Sequence, residues 1–180
     1  RRQRQMCIRD SRFKTLYAQR RAPALKEGGE LVKQFEKTLP FELTTSQRQV
    51  SAEIEADLMT SAPMLRLLQG DVGSGKTLVA ALSALRCLSS GFQVALMAPT
   101  EILAEQHCIS FRNWFGPLGI RVGWLSGKTR AAERKQVLQE LTSGECQLLI
   151  GTHALFQDQV EYRSLGLIIV DEQHRFGVHQ

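Results

Sequence analysis

The segment from residue 70 to residue 77 reads GDVGSGKT and matches the spacing G-x-x-x-x-G-K-[ST] at every fixed position. Glycines let the backbone curl so that successive N–H groups point inward, where side chains would collide with an anion. Lys76 supplies a positive charge for phosphate oxygens, and the Thr77 hydroxyl is a suitable Mg²⁺ ligand. A glycine-rich turn that caps a helix and binds nothing is the alternative, but chance rarely produces all four fixed residues. The segment therefore predicts a nucleotide phosphate loop formed by Gly70, Asp71, Val72, Gly73, Ser74, Gly75, Lys76 and Thr77.

Two neighbouring carboxylates, Asp171 and Glu172, follow an apolar run at residues 167–170. In open α/β sheets, ligands bind beyond the carboxyl ends of the strands. Asp171 suits Mg²⁺ because hard cations prefer oxygen ligands, and Glu172 suits a water that attacks the γ-phosphate. A solvated acidic strand end is the alternative. Together with the phosphate loop, the pair predicts ATP hydrolysis with Lys76, Asp171 and Glu172 as catalytic residues.

The rest of the sequence predicts the elements that must hold these groups in place. Short apolar runs alternate with segments of helical composition, and two of the helices end at a glycine. The expected strands span residues 64–69, 94–97, 122–125, 147–150 and 165–170, and the expected helices span residues 46–59, 76–89, 100–115 and 131–141. Because the strands are continuous apolar runs, they indicate a parallel sheet with helices on both faces. The predicted fold class is therefore α/β, of the P-loop NTPase type.

Composition excludes several other classes of protein. The 180 residues are 43% hydrophobic and 23% charged, as in an ordinary soluble domain. No apolar run approaches the roughly 18 residues of a membrane helix, and no secretory signal opens the sequence. Cys7, Cys87, Cys108 and Cys146 have neither a paired motif nor zinc-ligand spacing, so reduced thiols in a cytoplasmic protein are expected. The net charge of +5 arises in residues 1–21, which hold eight basic residues and one acidic residue, so charge alone does not predict DNA binding.

The chain divides into three parts. Residues 1–12 fit no element, and we hypothesise that they are a non-native tail, with the native sequence beginning near Phe13. Residues 13–40 are polar and mildly helical, with interruptions at Pro23 and at residues 28–29, and are expected to form a helical linker. Residues 41–180 carry the alternating pattern and the motifs, and are expected to form the ATP-binding domain.

The motifs occur in an order that identifies a family. Residues 41–47 resemble the Q motif of the superfamily 2 helicases, and residues 70–77 resemble motif I. Residues 98–101, 151–155 and 171–174 resemble motifs Ia, Ib and II of the same helicases, in that order. The strings APTEILAEQH, GTHALFQ and DEQHRFGVHQ resemble the RecG family of bacterial branched-DNA helicases, over roughly residues 41–180. The transcription-repair coupling translocases share the phosphate loop and a similar HRFGV segment. Their acidic motif usually reads DEEH, so Gln173 favours the RecG family.

The resemblance implies the first RecA-like motor domain of an ATP-dependent helicase or translocase. Such an enzyme remodels branched DNA, at stalled forks and Holliday junctions, in recombination and repair. ATP and Mg²⁺ are the implied cofactors, with Thr77 and Asp171 as metal ligands. Phe41 and Gln47 would contact adenine, although Thr44 and Gln47 also have the spacing of a helix capping box. Spacing alone leaves these two interpretations about even, and the resemblance favours adenine.

The same resemblance implies contacts with DNA. Hydroxyl and main-chain contacts to the DNA backbone position a strand without reading its sequence. Thr100 also suits the cap of a helix. The implied DNA-contact residues are Thr100, Glu101, Thr152, His153, Arg175 and Phe176, and the residues implied to couple the nucleotide site to the DNA site are Gln173 and His174. We interpret Trp114, Phe115 and Trp124 as packing residues and not as platforms for bases.

The sequence departs from the family in where it stops. It ends at Gln180, before the motif III strand, which in this fold lies between the strands that precede Gly70 and Asp171. The second RecA-like domain, with its arginine fingers, and the wedge domain are also missing. We therefore expect a C-terminally truncated sheet in a monomeric, bacterial, cytoplasmic protein that binds ATP but alone hydrolyses it negligibly. The expected partners are branched duplex DNA and the two missing domains, and two alternatives stay open: a coupling translocase motor domain and a catalytically silent DNA-binding fragment.

Overall fold

The computed structural model describes residues 21–25, 29–71 and 73–171. The helices are α1 (Gly29–Thr38), α2 (Thr45–Leu58), α3 (Lys76–Ser89), α4 (Glu101–Phe115) and α5 (Ala131–Ser143). The strands are β1 (Gln93–Met97), β2 (Val122–Leu125), β3 (Leu148–Gly151) and β4 (Leu165–Val170), and short 3-10 helices occur at Gly116–Leu118 and His153–Phe156. None of the described helices is long and apolar enough to span a membrane. The predicted helices, and four of the five predicted strands, are confirmed to within two residues at each end.

The four strands are parallel and lie in the order β2, β3, β1, β4. Leu96 of β1 lies opposite Ile150 of β3 and Ile169 of β4, and Ile150 lies opposite Trp124 of β2. Strands β1 and β3 are buried along their whole length, as expected for inner strands of a parallel sheet. The predicted α/β class with a parallel sheet is confirmed.

Side chains along each inner strand enter two different hydrophobic clusters, because successive residues point to opposite faces of the sheet. Val94 and Leu96 pack in a cluster with residues of helices α1 to α4. Ala95 and Met97 pack in a second cluster with Leu141 of α5. Helices therefore cover both faces, as predicted.

The carboxyl ends of the strands lie along one edge of the sheet, which we call the carboxyl edge. The amide of Asp171, after β4, donates to the main-chain oxygen of Met97 at 2.8 Å, and the amide of Ala98 donates to that of Gly151 at 2.9 Å. Helix α3 packs on the sheet, and only three residues separate its end from the start of β1, so it runs antiparallel to β1. Its first residue, Lys76, therefore lies at the carboxyl edge.

The strand predicted for residues 64–69 is wrong. This segment has no strand conformation, and Leu65 and Leu67 are 79% and 80% exposed, whereas Met64 and Leu68 pack against the core. A strand needs a hydrogen-bonded neighbour for its backbone groups, and none of the described strands pairs with this segment. The apolar side chains therefore contribute packing at two positions without joining the sheet.

Helix α1 lies within the predicted linker and packs into the core. Phe35 is fully buried, and its ring meets Trp114 and Phe115 of α4 edge-on, with centroids 5.8 and 6.0 Å apart. Such aromatic pairs add about 0.5–1.5 kcal/mol to the area they bury. Trp114 and Phe115 therefore pack as the sequence predicted, and residues 29–38 share the core of the domain that follows. The predicted tail, residues 1–12, lies outside the described residues.

The described cysteines are buried, free thiols. Burial raises the pKa of Cys87 to about 12 and that of Cys146 to about 11. Because the thiolate is the nucleophilic form, these side chains are packing groups and not reactive ones.

Candidate functional site

The phosphate loop needs glycine at two positions where its backbone is left-handed. Gly73 has a φ of +83° and Gly75 a φ of +81°. Residues with a Cβ enter this region only at a cost of about 1–2 kcal/mol. Gly75 is also the N-cap of α3, so the positive end of that helix dipole points at the loop. The fixed glycine at position 75, and the additional glycine at position 73, therefore have a conformational cause.

Lys76 bonds to the loop from the first turn of α3. Its ammonium donates to the main-chain oxygens of Gly70 at 2.6 Å and Asp71 at 2.7 Å. The amide of Ser74 also donates to the oxygen of Asp71, at 3.1 Å. Thr77, the next residue of the motif, is partly buried in the same turn. The loop is thus a small, internally bonded unit with its positive charge at the carboxyl edge.

Gln47 belongs to a helix cap and contacts the phosphate loop. Its amide N–H donates to Thr44 Oγ1 at 3.2 Å, and its Oε1 accepts from the Thr44 N–H at 2.9 Å, which completes a capping box at the start of α2. The side-chain Nε2 of Gln47 donates to the main-chain oxygen of Ser74 at 3.1 Å. The capping box is confirmed, and the contact of Gln47 and the exposed Phe41 with adenine stays a prediction.

Asp171 lies where β4 ends and is held from two sides. Its amide bonds to Met97 of β1, as described above, and its Oδ2 lies 2.6 Å from Nε2 of His107 on α4. The Asp171 side chain is 34% exposed and that of His107 is 15% exposed. The carboxylate is therefore accessible at the carboxyl edge, while the histidine that bonds to it is largely enclosed.

The described DNA-contact candidates follow β1 and β3 at the same edge. Thr100 caps α4, because its Oγ1 accepts a main-chain N–H of that helix at 3.3 Å. The Glu101 carboxylate pairs with Lys128 Nζ at 2.8 Å. Thr152 and His153 begin the 3-10 helix after β3, and His153 is exposed. The cap is confirmed, and the contacts with DNA stay predictions.

The donor atoms at the carboxyl edge suit a hydrated Mg²⁺ ion. Within the described residues, no three His, Cys, Asp or Glu side chains converge as a metal cage would require. The oxygen donors are the Thr77 hydroxyl and the Asp171 carboxylate, and both are hard ligands. Mg²⁺ usually keeps several waters and binds one or two protein oxygens together with substrate phosphates. The residues present therefore fit a metal that arrives with a nucleotide.

Some predicted site residues lie outside the described residues: Val72, Glu172, Gln173, His174, Arg175 and Phe176. Their roles stay predictions: Glu172 in orienting water, Gln173 and His174 in coupling, and Arg175 and Phe176 in contacting DNA.

His107 is a site residue that the sequence did not reveal. On α4 it neighbours Ala104, Cys108 and Phe111, whose spacing marks the buried face of the helix. Its ring meets Phe111 edge-on at a centroid distance of 6.5 Å, which is the ordinary packing role of such a residue. The sequence signal that could have identified His107 is a polar side chain within the apolar stripe of a helix that begins at the carboxyl edge.

Comparison with known proteins relates this chain to helicases. The family model described as "DEAD/DEAH box helicase" matches residues 44–180. The protein called ATP-dependent DNA helicase RecG from Haemophilus influenzae is 58% identical over 151 residues, and that from Escherichia coli strain K12 is 61% identical over 142 residues. These matches cover 84% and 79% of this chain but only 22% and 20% of the relatives. The chain thus spans about a fifth of the length of the relatives it matches.

Solved structures that resemble this chain are also helicases. A structure described as RecG bound to a three-way DNA junction has a TM-score of 0.86 and 43% identity, covering 92% of this chain and 23% of that chain. The DUF1998 helicase MrfA, also bound to DNA, has a TM-score of 0.62 at 18% identity over 84% of this chain and 22% of its own, a likeness of fold alone. The comparisons favour the RecG-like interpretation over a coupling translocase or a silent DNA-binding fragment.

Proposed function

The chain belongs to the DEAD/DEAH box helicase family, and we propose that it is the ATP-binding motor domain of a RecG-like enzyme that remodels branched DNA. One observation carries the proposal: the Lys76 ammonium within its phosphate loop and the Asp171 carboxylate share the carboxyl edge of one parallel sheet. The branched substrate is proposed because a similar structure, described as RecG, is bound to a three-way DNA junction. We place the activity at stalled forks and Holliday junctions, in the cytoplasm of a bacterium.

In this proposal, ATP binds with its phosphates at the loop. The Lys76 ammonium exchanges main-chain oxygens for β- and γ-phosphate oxygens, which bind it more strongly because they are charged. Thr77 and Asp171 hold Mg²⁺, which supplies charge neutralisation for phosphoryl transfer. Glu172 orients the attacking water and accepts its proton.

Gln47 and Phe41 extend the proposed site to the adenine base. In the capping box, the Gln47 Oε1 accepts a hydrogen bond from Thr44, and its Nε2 donates to Ser74. A side-chain amide has two lone pairs and two N–H groups. Gln47 can therefore bond to the adenine edge while it keeps both of these contacts.

DNA would lie along the carboxyl edge, where loops after β1 and β3 provide polar groups. The proposed contacts are Thr100, Glu101, Thr152, His153, Arg175 and Phe176, with Gln173 and His174 coupling them to the nucleotide. A second RecA-like domain and a wedge domain of a longer, monomeric protein would complete the motor. An arginine supplied from another domain is worth about 10³–10⁵ in rate, so we expect the 180-residue chain to bind ATP and to hydrolyse it slower by about that factor.

Replacement of the loop lysine tests the proposal. We expect Lys76→Ala to weaken binding of a fluorescent (mant) ATP analogue to the 180-residue chain by roughly 10-fold to 150-fold, the value of one charge-assisted hydrogen bond or two. Lys135→Ala, which removes an exposed lysine from α5, should leave the affinity unchanged. In the longer protein, Lys76→Ala should abolish ATP-dependent unwinding of a three-way junction. Equal affinity of the two variants for the analogue would contradict the proposed ATP site.

A further inference from the structure

We propose that His107 is a positioning residue that orients the Asp171 carboxylate toward Mg²⁺. The inference rests on the proposed ATP site and names a residue on a different element, helix α4, that acts through Asp171. The observation behind it is the contact between His107 Nε2 and Asp171 Oδ2 at 2.6 Å, which joins residues 64 positions apart in the chain.

The contact favours one oxygen of the Asp171 carboxylate over the other as a metal ligand. A carboxylate can only accept, so His107 must carry a hydrogen on Nε2 and donate it. A bond of this length to a charged acceptor is among the stronger hydrogen bonds in proteins. It uses one lone pair of Oδ2, so Oδ1 is the less engaged oxygen of Asp171 and the better suited one to serve Mg²⁺ or one of its waters.

Both partners are anchored independently, so the bond restricts the carboxylate. The backbone of Asp171 is bonded to Met97 of β1. The His107 ring is largely enclosed, packs against Phe111, and is carried by a helix of 15 residues. Lys76 is bonded to main-chain oxygens of its own loop. His107 is the side chain that sets the rotation of the Asp171 carboxylate within the described part of the site.

Hydrogen-bond partners of metal ligands have a measurable effect. Their loss typically lowers metal affinity by about 10-fold to 100-fold, because the ligand must then be ordered at the moment of binding. A histidine that only stabilised the packing of α4 on the sheet would change the free energy of unfolding but not the affinity for Mg²⁺. The two roles therefore separate in a metal titration.

The test measures mant-ATP binding to the 180-residue chain, first in EDTA and then as MgCl₂ is added. We expect His107→Leu, which keeps the bulk but removes the donor, to raise the half-saturating Mg²⁺ concentration about tenfold. His107→Gln, whose amide nitrogen can donate to Asp171, should raise it about threefold or less. Binding in EDTA should be the same in all three proteins, because the phosphate loop is intact. Ile109→Ala, an exposed position on the same helix, is the matched control and should behave as the unmodified chain.

A double-mutant cycle tests whether His107 acts through Asp171. In the Asp171→Asn background, His107→Leu should cause no further change in the Mg²⁺ requirement. The inference is overturned if His107→Leu titrates as the unmodified chain does, if the Gln and Leu variants are equally impaired, or if the effect of His107→Leu persists in the Asp171→Asn background. If the unmodified chain shows no binding that depends on Mg²⁺, the proposed ATP site fails and the inference fails with it.

Discussion

The two sides of the sheet are stabilised in different ways. On one side, β1, β3 and β2 pack between helices, and Ile150 of β3 is fully buried. On the other side, Ile168 and Val170 of β4 are 48% and 45% exposed, and residues 64–69 approach the phosphate loop without joining the sheet. We call the part formed by β1, β2 and β3 the packed side. We call β4, together with residues 64–69 and the phosphate loop, the site side.

The difference shows where the chemistry is located. The packed side is held by many apolar contacts, each of which is individually weak. The site side has less apolar packing, and a few polar contacts connect its distant segments, such as Gln47 with Ser74 and His107 with Asp171. Segments with little packing open and rearrange at a low free-energy cost. The functional groups thus lie where the backbone can adapt to a ligand, next to strands that are buried along their whole length.

A matched pair of isoleucines tests the contrast most strongly. Ile150→Ala on the packed side should lower the free energy of unfolding by about 2–5 kcal/mol, because it leaves a cavity in a closed core. Ile168→Ala on β4 should cost less than about 1 kcal/mol, because half of that side chain already contacts water. Urea denaturation of both variants measures the difference. Similar losses in the two variants would mean that the site side is as well packed as the rest.

Gln93 joins the two sides, and its loss should have the next largest effect. Its Nε2 donates to the main-chain oxygens of Leu141 at 2.8 Å and Cys146 at 2.7 Å, and its Oε1 accepts from the amide of Ser164 before β4 at 2.8 Å. Gln93→Ala leaves buried polar groups without partners and should cost about 2–3 kcal/mol in urea denaturation. Gln49→Ala, on the exposed face of α2, should cost less than about 0.5 kcal/mol.

Hydrogen exchange refines the test of Gln93. We expect the Gln93→Ala substitution to increase exchange at the amides of β4 more than at those of β3, because β3 keeps two neighbouring strands. A uniform increase over both strands would indicate that β4 is held by its ladder with β1 and not by the Gln93 side chain.

What the sequence could predict follows the same division. The boundaries of α3, β2 and β4 could be read from local patterns, since each depends on nearby apolar runs and end signals. The phosphate loop was predictable because its fixed residues are close together in the sequence, and their spacing is the one that its curled backbone requires. The capping box of Thr44 and Gln47 was also visible, because its two residues are three positions apart.

What local patterns did not reveal concerns long-range neighbours. Residues 64–69 have the composition of a strand, but a strand forms only beside a partner, and that information is not local. Residues 29–38 are helical within the predicted helical linker, but no local pattern revealed that Phe35 packs against aromatic side chains about 80 positions away. The contact of His107 with Asp171 spans 64 positions and no spacing rule describes it. In all three cases, contacts between residues far apart in the chain determine the structure, and local propensity does not.

Substitution of two glycines that have the same backbone conformation distinguishes an effect on stability from an effect on ATP binding. The expected loss of stability is smaller than that for Gln93→Ala. Gly75 and Gly91 have φ of +81° and +82°, and a Cβ on Gly91 would meet open space, whereas one on Gly75 would collide with the Gln47 amide. Each Gly→Ala change should cost about 1–2 kcal/mol in urea denaturation. Affinity for mant-ATP should fall about tenfold, or about 1.4 kcal/mol, for Gly75→Ala alone. An equal loss of affinity in Gly91→Ala would place the cause in general destabilisation.

The smallest predicted effect is electrostatic and lies on the packed side. Hydrogen bonds from Arg121 hold the pKa of Glu140 below its usual value. Because the folded-state pKa is lowered, the carboxylate stabilises the protein above pH about 4.5, and this stabilisation is lost as pH falls through the folded-state pKa. The Arg121 side chain is 46% exposed, so the contribution should stay below about 1 kcal/mol. We expect the difference in unfolding free energy between the unmodified chain and Glu140→Gln to be largest near pH 7 and to shrink toward pH 3. A difference that stays constant over this range would assign the effect to hydrogen-bond geometry and not to charge.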